Sequence, residues 1–264
     1  YARELVATLT AAGSAERTEM LAALNAALDR IGADRGLSNL DRLGAVQAKV
    51  DLALMDQPDG SQPKVPTDLV AQAKQVAAQM DQSITDKYER QSVMPNAAHL
   101  LTAVGELDAS DALMQAELPK AVSSYYHMLV LASTAKVRGD KVASLDWAEK
   151  AYAGSLGPAT RLQWGSGYVN KLIDLAPQDS ARIEKAATQV ISELDPAPET
   201  FYERNRRSLE KMGTQLAKWG ADNRQPAVVA RLGRQLQAVC AKLPSGDDAK
   251  TACQGVFASK TAKS

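Results

Sequence analysis

The cysteines are the residues of this chain with the most evident reactivity. Cys240 and Cys253 are the only two, and 12 residues separate them. That spacing differs from the close cysteine pairs of zinc sites and of redox CxxC motifs. A turn at residues 244–248 would fold a short helix carrying Cys253 back on a longer helix carrying Cys240. This predicts a disulfide, with two buried thiols as the alternative, and a disulfide would indicate an oxidising compartment.

The other residue types that enzymes use form no catalytic pattern. His99 and His127 are the only histidines, and neither has a cysteine or carboxylate at ligand spacing beside it. Ser155 follows a glycine, but a nucleophile elbow requires a preceding strand, and here a helix is predicted; we interpret residues 154–157 as a turn. No pair of carboxylates forms an evident acid and base couple. We therefore predict no catalytic residue, no metal and no cofactor for this segment.

An arginine-rich run is a candidate for binding. Tyr202, Arg204, Arg206 and Arg207 could hold a carboxylate, or the acidic face of a partner, through forked hydrogen bonds. The alternative is a solvated helix face whose arginines pair locally with glutamate.

Aromatic residues offer a second candidate surface for a protein or peptide partner. A concave face holding a peptide could include four of them, Tyr125, Tyr126, Trp164 and Tyr168. Gly165 and Gly167 lie beside two of these inside a predicted helix, where each costs roughly 1 kcal/mol relative to Ala. Close helix packing or room for a ligand would compensate, and we favour packing.

Composition favours a helical and electrically balanced protein. Apolar residues make up 45% of the chain and aromatic residues only 5%, and the apolar share is dominated by Ala and Leu, which are good helix formers. Lys plus Arg equals Asp plus Glu at 31 each, so no net field attracts a phosphate backbone or an anionic membrane. No apolar run approaches the roughly 18 residues that span a bilayer. We expect a soluble segment that binds no nucleic acid.

Apolar residues recur every three or four positions along almost the whole chain, which predicts amphipathic helices and an all-α fold. Ser38 and Asp140 are positioned to cap helices. Pro95 is expected to interrupt a helix and Gly220 to end one. Residues 123–132 could form a buried strand, but we favour a helix because no second strand is predicted to pair with it.

A proline-rich segment suggests the domain organisation. Residues 57–66 contain three prolines and a glycine, a composition typical of an exposed loop. It would separate N-terminal helices in residues 1–56 from a helical repeat region in residues 67–264, and one continuous domain is the alternative.

A weak internal repeat lies in the second of these regions. An offset of 34 residues places three small residues on their counterparts: Gly105 on Gly139, Ala109 on Ala143 and Ser110 on Ser144. This offset is the period of a tetratricopeptide (TPR) helix pair. We predict antiparallel helix pairs stacked as a TPR-like right-handed solenoid.

Eight segments of the sequence carry a resemblance to a known family: residues 90–98, 105–108, 115–118, 138–141, 147–152, 157–165, 201–207 and 238–244. Together they resemble the C-terminal helical region of a group of bacterial thioredoxin-like proteins, over roughly residues 85 to 257. In that family a thioredoxin-like domain precedes the helices, so the resemblance implies an upstream thioredoxin-like domain and export to the periplasm. This chain contains no Trp-Cys-x-x-Cys, so no catalytic residue carries over.

These observations predict a function of interaction rather than catalysis. The chain begins with Tyr1 and shows no targeting signal, so we expect a piece of a longer protein. We expect a non-catalytic scaffold domain of an exported thioredoxin-like protein, positioning a partner or client for thiol–disulfide exchange by the upstream domain. The alternative is a standalone TPR-like scaffold that binds a protein or peptide without a redox role.

Overall fold

The structure is a computed structural model that describes residues 2–57 and 64–257. Within those residues the chain forms thirteen α-helices and no β-strand, which confirms the predicted all-α fold class. Within the segment at residues 123–132 the chain is helical from Ser124 onward, as we favoured. Residues 58–63 of the predicted loop lie outside the described residues. The chain divides into two compact units, Tyr1–Thr134 and Ala135–Ser264.

Within the described residues, the first unit contains six complete α-helices and the start of a seventh. Its helices are α1 (Ala2–Leu9), α2 (Ala15–Ala33), α3 (Asn39–Ala53), α4 (Thr67–Ser83), α5 (Lys87–Ala103) and α6 (Leu107–Glu117), and α7 (Ser124–Val137) contains the unit boundary. Consecutive helices from α2 to α6 pack against each other, and α3 also packs against α5. The apolar faces of α3, α4 and α5 form the core, where Val50, Ala73 and Met94 are fully buried.

The described part of the second unit contains six complete α-helices. They are α8 (Lys141–Gly154), α9 (Pro158–Leu175), α10 (Ser180–Ser192), α11 (Glu203–Asp222), α12 (Pro226–Cys240) and α13 (Asp248–Gln254), with a short 3₁₀ helix at Pro198–Phe201. Its core contains Leu172, Ile183 and Leu216, all fully buried.

Two pairs of helices in the second unit run parallel, α9 with α11 and α10 with α12. Gln163 Nε2 of α9 donates to Asn205 Oδ1 of α11 at 2.8 Å. Trp219 Nε1 of α11 donates to the carbonyl of Pro177, in the turn after α9, at 2.7 Å. Each of these bonds links residues that are 42 positions apart. Arg231 to Glu184 and Gln235 to the Thr188 carbonyl join α12 to α10, both 47 apart. A constant offset along two helices means that they point the same way.

The 34-residue offset corresponds to a repeated turn. Gly105 and Gly139 both have positive φ, +86° and +81°, the left-handed conformation that glycine adopts at a helix C-terminus. The following N–H groups, of Glu106 and Asp140, donate to the carbonyls five residues earlier, each at 2.9 Å. The turns at Gly105 and Gly139 are therefore closed by the same pattern of backbone hydrogen bonds.

The helix caps predicted at Ser38 and Asp140 are confirmed. The Ser38 side chain accepts from the Asp41 N–H at the start of α3, and the Asp140 side chain accepts from the Ala143 N–H at the start of α8. Each satisfies an N–H group that lacks a partner within its helix.

The predicted helix interruption at Pro95 and helix end at Gly220 are both wrong. Pro95 lies inside α5 and is buried, because the packing of α5 against α3, α4 and α6 outweighs the roughly 3 kcal/mol cost of an interior proline. Gly220 lies inside α11. A β-carbon there would lie 2.4 Å from Val229 Cγ2 of α12, so the glycine permits close helix contact.

Candidate functional site

An apolar groove lies between α4 and α6 in the first unit. It has a cavity volume of about 520 Å³ and its lining comes from three helices: Lys74, Ala77, Ala78 and Asp81 of α4, Leu101 of α5, and Ala109, Ala112, Leu113 and Ala116 of α6. The helix α5 packs against both α4 and α6. Because alanine side chains are short, they leave space between the two outer helices. We call this feature the α4–α6 groove.

Charged groups mark the two ends of the α4–α6 groove. Lys74 Nζ lies 3.0 Å from Glu106 Oε2, just before α6 begins. Asp81 lies seven residues further along α4, about 10 Å at 1.5 Å per residue, and forms an ion pair with Arg90. The groove is therefore apolar along its length, with an ion pair at each end.

The Arg90 guanidinium fixes the second end of the groove. Its Nε and Nη2 donate to the two carboxylate oxygens of Glu117 at 2.8 and 2.7 Å. Its Nη1 donates to the carbonyls of Asp81 and Ile84 at 2.8 and 2.6 Å. Burial raises the pKa of Glu117, but hydrogen bonds from Arg90 and Lys120 outweigh this and hold that pKa below its usual value. One side chain thus ties the C-terminal ends of α4 and α6 together.

The arginine-rich run lies at the start of α11. Tyr202 is 41% exposed, and Arg204, Arg206 and Arg207 are all exposed. Arg206 Nε donates to Glu210 Oε1 at 2.7 Å, which is the local pairing that we gave as the alternative. Tyr202 Oη donates to Asp247 Oδ1 at 2.9 Å. Tyr202 and Arg204 also line a shallow depression of about 490 Å³.

The aromatic residues predicted for a peptide-binding face differ in exposure. Tyr168 is 4% exposed and accepts a 2.8 Å hydrogen bond from Arg182 Nε, so its ring belongs to the core of the second unit. Trp164 is half-buried in the same helix. In the first unit, Tyr125 and Tyr126 stack with ring centroids 4.8 Å apart, and Tyr126 is 41% exposed.

A polar cluster in the second unit consists of the buried Tyr152 and the partly buried Arg161 and Glu193. Tyr152 Oη donates to Glu193 Oε2 at 2.9 Å, and Arg161 donates to both oxygens of the same carboxylate at 2.9 and 2.7 Å. Burial and the hydrogen bond to Glu193 raise the pKa of Tyr152 well above its usual value. The phenol therefore remains protonated, and the cluster cross-links α8, α9 and α10.

Ser155 occupies the turn that we predicted between α8 and α9. It is 1% exposed, and its Oγ donates to the Tyr152 carbonyl at 2.7 Å. The Ser155 carbonyl in turn accepts from Arg161 Nη1 at 3.1 Å. The Ser155 hydroxyl thus caps the C-terminal end of α8.

The glycines of α9 have different environments. A β-carbon on Gly165 would lie 2.6 Å from Val190 Cγ2, whereas one on Gly167 would meet nothing within 4 Å. The packing interpretation is confirmed for Gly165 and is wrong for Gly167, which is exposed.

Cys240 and Cys253 form a disulfide bond, with their Cα atoms 5.6 Å apart. Both residues are fully buried, and the bridge joins the end of α12 to α13. A thiolate must reach a sulfur atom in line to exchange with a disulfide. Burial of both sulfurs therefore suits a structural cross-link better than a redox centre.

Among residues 2–57 and 64–257, no group of three or more His, Cys, Asp or Glu side chains is arranged to hold a metal ion. In the same residues, no helix combines the length and the apolar character required to cross a bilayer.

Sequence reasoning missed the α4–α6 groove. Its alanines looked like ordinary helix formers, since exposed and buried alanines have the same sequence pattern. One sequence relationship touches the groove: the 34-residue offset places Ala78 of α4 on Ala112 of α6.

Comparisons of the chain with protein-family models, with curated proteins and with solved structures found no match.

Proposed function

We propose that this chain is a non-catalytic helical scaffold domain whose α4–α6 groove receives an amphipathic helix of a partner protein. The observation that carries the proposal is the groove itself, which is apolar, about 520 Å³ in volume and bounded by two helices. An amphipathic helix binds such a groove with apolar side chains spaced at three, four and seven residues. Alanine walls permit the backbones to approach closely, because their side chains are short.

The charges at the groove ends specify the partner helix further. Lys74 and Asp81 are seven residues apart on α4, and both are about half exposed at the side chain, at 52% and 46%. Each already has an ion-pair partner, Glu106 for Lys74 and Arg90 for Asp81. An acidic residue near Lys74 and a basic residue seven positions away on the partner helix would add a second, exposed pairing at each end. Opposite charges at this spacing set the direction of the bound helix more than its affinity.

A labelled helical peptide tests the groove. The probe has about 18 residues, or five turns, with leucines along one face and one Glu and one Lys seven positions apart on its edge. Binding is measured by fluorescence anisotropy to the unmodified protein, to the double variant Ala78→Trp and Ala112→Trp, and to the control Gln79→Trp. Ala78 and Ala112 line the groove, whereas Gln79 is exposed on α4 and does not.

We expect the groove-filling variant to lose at least about tenfold in affinity, the loss that one or two displaced apolar side chains produce. The Gln79 control should bind like the unmodified protein. Equal affinities in all three proteins, or no binding of the probe up to millimolar concentration, would exclude the groove as a helix site. Circular dichroism of each variant checks that the fold is retained.

The proposal extends to the role implied by the resemblance. We propose that the scaffold belongs to an exported thioredoxin-like protein, that its helix pairs stack as a TPR-like right-handed solenoid, and that it positions a client near an upstream thiol–disulfide centre. The parallel pairs, α9 with α11 and α10 with α12, support a helical-repeat organisation, and the repeated turns at Gly105 and Gly139 support the 34-residue period. The two buried cysteines leave the exchange chemistry to another domain.

Two observations test that role. A full-length protein that handles its clients equally well with and without these 264 residues would refute the positioning role. The coding sequence upstream of Tyr1 distinguishes the standalone scaffold, which requires no CxxC motif there.

A further inference from the structure

A single row of basic residues runs along the exposed side of α11. Arg204, Arg207, Lys211 and Lys218 are all exposed, and their spacings of three, four and seven residues place them on one line of the helix. Arg204 and Lys218, the ends of the row, are 14 positions apart, about 21 Å at 1.5 Å per residue. We call it the α11 basic row.

The members of the α11 basic row have no partner among the residues that the structure describes: none forms a hydrogen bond or an ion pair there. Neighbouring arginines in this unit behave differently. Arg206 pairs with Glu210 and Arg231 pairs with Glu184. A neutral chain with 31 residues of each sign has enough carboxylates for pairing, so a row of four unpaired cations is a local segregation of charge.

The helix under the α11 basic row is firmly held. Its opposite face buries Leu209, Met212, Leu216 and Trp219 against α9 and α12. The four cations therefore project from a fixed backbone, and their spacing is preserved when a partner binds. Preorganised charges lose less entropy on binding than charges on a mobile loop.

We propose that the α11 basic row binds an acidic helical segment of a partner protein, with carboxylates at matching spacings of three, seven and fourteen residues. This surface is separate from the α4–α6 groove and does not depend on it. Arginine forks would hold two carboxylates bidentately at the start of the row, and the lysines would pair with the remainder. Complementary charge of this kind raises the association rate and fixes the register of the two helices.

The residues around the row favour an acidic helix over a polyphosphate or an anionic membrane. Glu203 and Glu210 lie on the adjacent line of α11, and Asp222 ends the row. These carboxylates would repel a broad array of phosphates on a duplex or bilayer surface. A narrow acidic helix aligned with the row would avoid them.

Three labelled peptides of equal length test this proposal by fluorescence anisotropy. One carries Glu at the matching spacing, the second has Gln at those positions, and the third contains the same Glu residues in scrambled order. They are titrated into the unmodified protein at low and at high salt. Duplex DNA and vesicles containing anionic lipid serve as the other two classes of probe.

The protein variants are matched for charge. The row variant carries Arg204→Glu, Arg207→Glu, Lys211→Glu and Lys218→Glu. The control carries Lys141→Glu, Lys185→Glu, Arg234→Glu and Lys242→Glu, which are exposed cations at other positions. Both variants change the net charge equally. Circular dichroism verifies folding, and a row variant with alanine at the four positions is used if the glutamate variant does not fold.

We expect the matched peptide to bind the unmodified protein about tenfold more tightly than the Gln or scrambled peptide, as several exposed ion pairs together can produce. That preference should disappear in the row variant and at high salt, and should persist in the charge control. Equal binding of the matched and scrambled peptides, equal losses in both variants, or tighter binding of DNA or anionic vesicles than of the matched peptide would overturn the proposal. Groove-filling substitutions should not change the binding of the acidic peptide to the α11 basic row. The two proposals can therefore be refuted independently.

Discussion

Gly165 of α9 lies directly against Tyr152 of α8: a β-carbon on Gly165 would be 2.9 Å from Tyr152 Cε2. Gly167, two residues along the same helix, faces open space. The contact explains why a helix-destabilising residue occurs at position 165, since only glycine leaves room for the tyrosine ring and for Val190.

The two glycines predict opposite effects of the same substitution. Gly165→Ala should reduce the free energy of unfolding by about 1–3 kcal/mol, because the added methyl group overpacks the contact. Gly167→Ala should increase it by up to about 1 kcal/mol, because alanine is the better helix former. Urea denaturation of both variants measures this. A Gly165→Ala protein at least as stable as Gly167→Ala would contradict the packing.

The buried serine after the first repeated turn predicts a second stability effect. Ser110 is fully buried, and its Oγ donates to the Ala98 carbonyl at 2.9 Å and accepts from Thr102 Oγ1 at 3.0 Å. Ser110→Ala should cost about 1–2 kcal/mol, since it removes bonds from buried groups. Ser192→Ala, which removes an exposed hydroxyl, should cost less than about 0.5 kcal/mol and serves as the control in the same denaturation experiment. Similar costs at both positions would show that the Ser110 bonds contribute nothing.

The bridge between Cys240 and Cys253 predicts a response to reductant. The two residues are 13 positions apart, and closing a loop of that size stabilises a fold by about 3 kcal/mol in the chain-entropy model. Chemical denaturation should therefore show a lower unfolding free energy with reductant than without it. The double variant Cys240→Ala and Cys253→Ala should have the same free energy of unfolding as the reduced protein, and reductant should not change it. Quantitative alkylation of both cysteines in folded protein purified without reductant would contradict the bridge.

Acid should destabilise the first unit through His127. This residue is 1% exposed, and burial lowers its pKa below 6.5, although the charge of Glu117 and the main chain of Ser123 oppose part of that shift. In the unfolded chain the pKa returns to about 6.5, so the unfolded state binds the proton more strongly. The free energy of unfolding should therefore fall as the pH drops from above 6.5 to about 5.

A histidine variant isolates this effect. The free energy of unfolding is measured at pH 7.5 and pH 5.5, about one unit to either side of 6.5. Two proteins are compared, the single variant His99→Gln and the double variant His99→Gln, His127→Gln, so that they differ only at His127. The double variant should lose less stability between the two pH values. Glu117 and Glu193, whose pKa values are lowered, lose their contribution at more acidic pH. An equal loss in both proteins would show that His127 does not titrate in this window.

Local features were predictable from sequence and tertiary ones were not. The caps at Ser38 and Asp140 depend only on a side chain and the next three residues. Gly105 and Gly139 were found through their spacing. In contrast, the fates of Pro95 and Gly220 depend on neighbouring helices, whose packing outweighs local preference.

The candidate surfaces show the same division. The arginine run at residues 204–207 was evident as a cluster of charge, but its continuation through Lys211 to Lys218 emerges only when the exposed line of α11 is known. The α4–α6 groove could not be predicted, because it is the space left between packed helices. The sequence pattern gives the type of each side chain but not the distance between helices.

The α11 basic row has a consequence for the free protein. Arg204 and Arg207 lie in the first two turns of α11, where the aligned peptide dipoles present partial positive charge and disfavour cations. No side chain caps this helix start. The two arginines therefore lower the stability of the unbound domain at the place where the proposed acidic partner would dock. Replacing them with neutral residues should raise the stability of the domain and weaken its affinity for that partner.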